Sequence, residues 1–192
     1  MESIKYATKA KDIFSKHEGY EVKVALCDNI LGLACINLKQ YEQAEEHFTS
    51  AINILQKTDE EKLIIIVRNN LGWMYSDQNL SALAIRHLSE VTEKTPKHYK
   101  AIFIKAKEHY KLEEHKIANK LIEKGLKICR DSKNEEYKHH FEILNELNQN
   151  VTAEELEKII QKGITYFEKE ELYDYTQEYQ EKLAVKFYEE NH

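Results

Sequence analysis

The sequence predicts an all-α fold in which antiparallel helix pairs stack into a superhelix. A pattern of small and apolar residues recurs: Leu31-Gly32 and Ala44 are followed by Leu71-Gly72 and Ala84, with glycine and alanine 12 positions apart in both copies. Repetition with a period of about forty residues is typical of helical solenoids. The 192-residue chain also contains only one proline and five glycines, few enough for helix nearly throughout.

Four of the glycines lie inside apolar helical patterns and indicate close helix contacts. They are Gly32, Gly72, Gly125 and Gly163. A glycine within a helix costs about 1 kcal/mol relative to alanine, so each needs a packing reason. We expect the two helices of a pair to approach each other at these positions, where a side chain would push them apart. The alternative is close approach of a ligand.

The helices are predicted to follow one another in a single domain, 1–192. The apolar stripe of 3–16 is typical of the second helix of a pair, so 1–20 is interpreted as a partial repeat. We expect complete pairs at 21–57, 59–95, 97–131 and 135–169, and an unpaired last helix at 171–190. Terminal repeats usually need a cap, so the uncovered apolar face of the last helix suggests a fragment or a chain that pairs with a second copy of itself.

Local signals support two of these boundaries. Pro96 closes the second pair, because proline cannot continue a helix and restricts the residue before it. Thr152 and Glu155 have the spacing of a capping box, in which a hydroxyl and an acid three residues later satisfy the first N–H groups of a helix.

Charge and cysteine content restrict the possible partners and the compartment. The net charge of −6 disfavours nucleic acid as a partner. Cys27, Cys35 and Cys129 are an odd number of cysteines in a chain without a signal peptide, which is typical of the reducing cytoplasm. No apolar run approaches the roughly 18 residues of a membrane-spanning helix, so no contact with a membrane is expected.

No catalytic, cofactor or metal site is expected. The glycine pattern allows no phosphate-binding loop, and neither an HExxH nor a CxxC motif occurs. His109 and His115 are six residues apart, and the adjacent His139 and His140 point in different directions on a helix, so neither pair is placed to bind a metal. No serine or cysteine has a histidine partner at helical spacing.

The remaining candidate is a peptide-binding surface on the first helix of each pair. Counted from the glycine positions, the predicted groove-facing residues include Asn29, Asn37, Asn70, Trp73, Phe103, Lys107 and Tyr110. An asparagine amide can bond both the N–H and the C=O of an extended peptide, at about 0.5–1.5 kcal/mol per bond. Aromatic rings can pack on the peptide's side chains. Alternatively, the amides tie neighbouring helices together and the aromatic rings belong to the core.

The repeats match the tetratricopeptide pattern, and three segments narrow the resemblance. The segments are LKQYEQAEEHF (38–48), RNNLGWMY (68–75) and GITYFEKEELYDYTQEYQEKLAVKFYE (163–189). Together they resemble the Rap family of Bacillus quorum-sensing regulators over essentially the whole chain. The resemblance implies a tetratricopeptide superhelix that captures a short imported Phr-type signalling peptide in its concave groove and regulates a response regulator protein.

The resemblance also implies roles for single residues. Asn70 matches a family asparagine that holds the peptide backbone. Asn37 and His140 stand where the family has acidic peptide contacts, whereas Glu178 keeps an acid at a groove position of the last helix. We therefore expect an altered peptide preference.

Phosphatase activity is not expected of this chain. In the Rap family, dephosphorylation of a response regulator and inhibition of its DNA binding resemble functions of an N-terminal three-helix bundle. The first residues here already have the repeat pattern, so we expect that bundle to be missing. Three alternatives stay open: the sensor half of a peptide-responsive transcription factor, a phosphatase, and a protein-interaction scaffold without a small ligand.

Overall fold

The computed structural model describes residues 2–192, which form ten α-helices and no strand. The all-α prediction is therefore confirmed. In chain order the helices are α1 (Glu2–Phe14), α2 (Glu21–Asn37), α3 (Tyr41–Lys57), α4 (Glu61–Asp77), α5 (Ser81–Lys94), α6 (Tyr99–Lys111), α7 (His115–Ser132), α8 (Glu135–Gln149), α9 (Ala153–Lys169) and α10 (Tyr173–Asn191).

The chain divides into two compact units, of which the first ends at Pro96 and the second begins at Lys97. In the first unit each helix from α1 to α5 packs against the next one, and α2 also contacts α4. In the second unit the helices from α6 to α10 pack in the same consecutive manner, and α6 also contacts α8. Each unit thus brings one pair of alternate helices into contact, α2 with α4 and α6 with α8. The organisation of the repeats as one domain stays a prediction.

The glycines occupy positions where a neighbouring side chain fills the space. A Cβ atom on Gly32 of α2 would lie 2.6 Å from Cε1 of Phe48 on α3, and one on Gly72 would overlap Leu88 on α5. These contacts lie within the predicted pairs. For Gly125 of α7 the expectation is wrong, because the overlapping side chain is Phe141 on α8. The second helix of that pair packs against the first helix of the next pair as well as against its own partner.

Most links between helices contain one left-handed residue that is not glycine. These residues, with φ between 51° and 60°, are Lys39, Asp59, Asn79, Glu113, Lys133, Asn150 and Glu171. The left-handed residue ends one helix and redirects the chain into the next. It also explains why α10 begins at Tyr173, two residues later than predicted, since Glu171 lies in the turn.

The core of each unit consists of side chains from the facing helices. In the second unit one cluster is centred on Phe141, which is 0% exposed, and another on Phe167. The predicted capping box is present at α9, where Thr152 and Glu155 bond each other's backbone N–H groups. None of the helices described is long and apolar enough to cross a bilayer.

Candidate functional site

Two asparagines join the alternate helices of the first unit. Nδ2 of Asn70 on α4 donates a hydrogen bond of 2.8 Å to Oδ1 of Asn29 on α2. Both side chains are half-buried. One N–H and the oxygen of Asn70, and both N–H groups of Asn29, bond no other described residue, so the pair keeps unused donors and an acceptor. The amides therefore tie two helices together and still offer hydrogen bonds.

Trp73 lies one turn beyond Asn70 on α4 and is 37% exposed. Residues three apart on a helix are neighbours on its surface, so the ring adjoins the amide pair. We call Asn29, Asn70 and Trp73 the amide patch. Asn37 is exposed at the end of α2 and has no hydrogen bond to the patch. The first unit thus brings three of its four predicted site residues together.

The neighbouring face of α2 carries a buried carboxylate that sequence reasoning missed. Asp28 is 0% exposed and accepts hydrogen bonds from Lys11 of α1 at 2.6 Å and from Ser50 of α3 at 2.8 Å. Nδ1 of His47 lies 2.8 Å from the same carboxylate. A buried charge is tolerated only with such partners. Because these partners lie on α1 and α3, Asp28 fixes the side of α2 on which Asn29 faces α4.

In the second unit, His140 of α8 lies in an aromatic cluster. It is 2% exposed, its Nδ1 shares a 2.6 Å hydrogen bond with the hydroxyl of Tyr179 on α10, and its ring centroid lies 5.4 Å from that of Phe103 on α6. The rings of Phe167 and Tyr175 cover it further, at 4.8 and 4.4 Å. A peptide could touch His140 only after displacing one of these side chains.

Burial determines the protonation of this cluster. It lowers the pKa of His140 to about 3, so the ring is neutral at neutral pH. Burial also raises the pKa of Tyr179 well above its usual value, so the hydroxyl keeps its proton. The pair is a neutral, aromatic contact between α8 and α10, quite unlike the acidic residue that the resemblance implies at position 140.

Lys107 of α6 is half-buried beside the charged residues of α10. Burial lowers the pKa of Lys107, and Glu178 of α10 acts in the opposite direction. The carboxylate of Glu178 bonds Nζ of Lys182 at 2.5 Å, one turn further along its own helix. Burial would raise the pKa of Glu178, but Lys182 and Lys107 together bring it below its usual value.

A cavity of about 430 Å³ lies next to this group in the second unit. Its lining includes the predicted residues Tyr110 and Glu178, and its charged residues are Glu146, Glu178, Glu181, Glu189, Lys182 and Lys186. The size suits one or two side chains of a ligand. We call this cavity, together with Lys107, the charged pocket. A wider depression of about 750 Å³ on α3 contains none of the predicted site residues.

Sequence reasoning missed Lys182, which lines the charged pocket. Its signal is the spacing of four residues from Glu178, which places both charges on one face of α10. Asn69, which adjoins Asn70 on α4, has a buried Oδ1 that accepts no hydrogen bond from any residue that the structure describes. No group of His, Cys, Asp or Glu within 2–192 is placed to hold a metal ion.

The comparisons with known proteins agree with this fold. Residues 23–95 match the tetratricopeptide repeat family. Response regulator aspartate phosphatase I of Bacillus subtilis (strain 168) is 29% identical over 76% of this chain and 38% of its own length. Regulatory protein RapF of the same organism is 26% identical over 76% of this chain and 40% of its own. This chain is similar to the Rap regulators. It spans less than half the length of these two relatives.

Solved Rap structures have the same fold. Aspartyl phosphate phosphatase F from Bacillus subtilis superposes with a TM-score of 0.87 at 25% identity, over 98% of this chain and 50% of that one. The Rap conjugation gene regulator of the plasmid pLS20, solved in complex with the Phr* peptide, gives 0.78 at 19% identity, over 89% of this chain and 47% of that one. The predicted tetratricopeptide fold and the resemblance to the Rap family are confirmed.

A third relative, transcriptional activator NprA of Geobacillus stearothermophilus, is 26% identical over 98% of this chain and 49% of its own.

Proposed function

We propose that this chain is the peptide-binding part of a Rap-like quorum-sensing regulator. It captures a short Phr-type signalling peptide along the inner helices of its repeats and thereby controls a response regulator protein. The amide patch is the observation that carries this proposal, because Asn29 and Asn70 hold each other in position and keep hydrogen-bonding groups unused. The pLS20 regulator, which shares the fold, is a Rap protein that binds a Phr peptide.

The remaining predicted residues have different parts in this proposal. Trp73 offers an exposed ring next to the amide pair, on which an apolar side chain of the peptide can pack. Within the second unit, Tyr110 and Glu178 line the charged pocket, which offers polar groups to a ligand. Phe103 and His140 belong to the aromatic cluster, in which His140 bonds Tyr179 on the helix that carries Glu178. Asn37 is exposed and free to contact the peptide's flank.

The proposal places the protein in the cytoplasm, where it needs no metal, cofactor, nucleic acid or membrane. A second copy of the chain is a possible partner through α10, whose side chains Val185 and Tyr188 are 56% and 65% exposed. We also propose that residues 1–192 alone do not dephosphorylate a response regulator. Incubation with a phosphorylated response regulator tests this directly, and a rate of phosphate release above that of the regulator alone contradicts it.

Calorimetry with a pentapeptide library, in which each position is fixed in turn, tests peptide binding. We expect saturable binding at a single class of site. Asn70→Ala removes one to two backbone bonds and should weaken binding by about 10- to 100-fold. Asn53→Ala, an exposed asparagine on α3, is the matched control and should bind like wild type. Absence of binding to every library member, or equal binding by Asn70→Ala, contradicts the proposal.

The sensor part of a transcription factor is the second candidate. It is favoured by the similarity to transcriptional activator NprA, which extends over 98% of the chain. Capture of purified response regulators by the peptide-free chain distinguishes the two. We expect at least one regulator to bind and to be released by the peptide. If none binds, while deletion of the gene changes transcription, the transcription factor is the correct assignment.

A further inference from the structure

The surface around the amide patch carries exposed apolar side chains in addition to Trp73. Ile66 of α4 is 48% exposed, and Ile30 of α2 is 47% exposed. Ile66 lies one turn before Asn70 and Trp73 lies one turn after it, so the three side chains share one stripe of α4. Ile30 directly follows Asn29 on α2. Apolar side chains that are exposed together are typical of a surface that contacts a partner.

Neither stretch of helix that forms this surface places a charged side chain on it. Residues 24–37 of α2 include one charged residue, Asp28, which is 0% exposed and has its partners on α1 and α3. Residues 63–76 of α4 also include one, Arg68, which pairs with Glu90 of α5 at 2.7 Å. The surface therefore favours uncharged side chains of a ligand, because a charged group would lose water there without gaining an ion pair.

The arrangement of the two amides determines the direction in which a peptide crosses them. Asn29 and Asn70 lie side by side on different helices, and each keeps hydrogen-bonding groups unused. An extended peptide that bonds both amides therefore passes across α2 and α4 rather than along either helix. Ile66 and Trp73 then lie on opposite sides of the peptide. They are seven residues apart, about 10 Å along the helix axis, which exceeds the roughly 5 Å that one strand occupies in a sheet.

Consecutive side chains of an extended peptide point in opposite directions. Where the peptide bonds the amide pair, one side chain therefore points toward Trp73 and the next points toward Ile66. We propose that the first unit selects peptides in which two adjacent residues have uncharged, apolar side chains, one packed on Trp73 and the other on Ile66. The inference rests on the proposed function, because the ligand is a peptide whose backbone bonds Asn29 and Asn70. It adds the class and the spacing of the side chains that are selected.

Two capped tetrapeptides of identical composition test this spacing. Acetyl-Ser-Leu-Leu-Ser-amide has adjacent leucines, whose side chains point to opposite sides of an extended chain, whereas those of acetyl-Leu-Ser-Leu-Ser-amide point to the same side. Trp73 is the only tryptophan in the sequence, so its fluorescence reports binding beside the amide patch. We expect the adjacent isomer to bind about five- to tenfold more tightly, because only this isomer makes both apolar contacts at once.

Variants assign the two contacts. Ile66→Ser removes one of them and should weaken binding of the adjacent isomer about five- to tenfold, so that the two isomers bind alike. Ile13→Ser, at a position of α1 that is also 48% exposed, is the matched control and should bind both isomers as wild type does. Acetyl-Ser-Leu-Asp-Ser-amide places a charge at one contact and should bind wild type about tenfold more weakly than the adjacent isomer does.

The outcomes separate this inference from the proposed function. If library pentapeptides bind, but wild type has equal affinity for the two isomers or binds neither, the paired apolar contacts are wrong. They are also wrong if Ile66→Ser still prefers the adjacent isomer. If wild type prefers the adjacent isomer but Asn70→Ala binds it equally well, the apolar contacts exist without recognition of the backbone, and the proposed function is wrong instead. Failure of the isomers and of every library peptide contradicts the proposed function itself.

Discussion

In each unit the first helices of two successive pairs contact each other, α2 with α4 and α6 with α8, but the side chains on these helices differ in chemistry. In the first unit, the neutral amides of Asn29 and Asn70 bond each other. In the second unit, aromatic rings seal His140, and the half-buried Lys107 has no ion pair. A repeat fold requires small residues where its helices touch, and it leaves the other side chains on the first helix of each pair free to vary. The first unit therefore offers neutral hydrogen bonds, and the second offers a charge.

The largest expected effect comes from removing a core ring in the second unit. Phe141 is 0% exposed and fills the space beside Gly125. Phe141→Ala should lower the free energy of unfolding by about 3–5 kcal/mol, because a cavity remains. Phe187→Ala, at a half-buried position of α10, is the control and should cost much less.

The same variant tests whether the units unfold together. The chain has one tryptophan, Trp73, and it lies in the first unit. If residues 1–192 form one domain, as we propose, Phe141→Ala lowers the Trp73 fluorescence midpoint and the circular dichroism midpoint equally. A Trp73 transition that stays at the wild-type midpoint, while helix is lost earlier, would show two independent domains.

The second prediction uses the buried histidine. The pKa of His140 is about 3 in the folded state and near 6.5 in the unfolded chain, so the unfolded state binds more protons between these values. Stability is therefore fully present above pH 6.5 and is lost as the pH falls toward 3. Between pH 7 and pH 5, wild type should lose about 2 kcal/mol more than His140→Gln.

Denaturant unfolding at both pH values measures this difference. His192→Gln, at an exposed terminal position, should behave like wild type and serves as the control. If His140→Gln loses as much stability as wild type between pH 7 and pH 5, the histidine is accessible to protons in the folded state, and the contrast between a sealed cluster and an open amide patch disappears.

The sequence allowed the fold to be predicted because its repeat signals are local. The spacing of Gly72 and Ala84 and the capping box at Thr152 each depend on a few neighbouring residues. Hydrogen bonds between residues that are far apart in the sequence cannot be predicted from such local spacings. The hydrogen bond between Asn29 and Asn70 spans 41 positions, and that between His140 and Tyr179 spans 39.

Individual side chains show why the site was predicted less well than the fold. A helix pattern gives the direction of a side chain but not the partner that meets it. The sequence is compatible with a ligand contact or a helix–helix contact for Asn70. The structure shows the helix–helix bond to Asn29 and leaves one N–H and the oxygen of Asn70 unbonded. For His140 and Lys107, only the neighbouring helices determine that the first is sealed by aromatic rings and that the second is half-buried without an ion pair.

The third prediction compares Asn70 of the first unit with Lys107 of the second. We expect the two substitutions to change the free energy of unfolding in opposite directions. Asn70→Ala removes the amide bond to Asn29 and should lower the free energy of unfolding by about 0.5–1.5 kcal/mol. Lys107→Met replaces an unpaired, half-buried ammonium with an apolar side chain of similar length and should raise it by about 1 kcal/mol. Urea unfolding of the ligand-free protein at pH 7 measures both. Equal signs would mean that Lys107 already has adequate partners in the folded chain.

The smallest expected effect concerns the turns that follow corresponding helices in the two units. Asn79 follows α4 and Glu113 follows α6, with φ of 58° and 59°. Left-handed backbone strains most side chains but is tolerated by asparagine, and glycine adopts it freely. Glu113→Gly should therefore raise the free energy of unfolding by about 0.5–1 kcal/mol, measured by urea unfolding, whereas Asn79→Gly should give a smaller gain. A loss of stability in Glu113→Gly would contradict the expectation, because the greater freedom of glycine in the unfolded chain would then outweigh the relief of the strained turn.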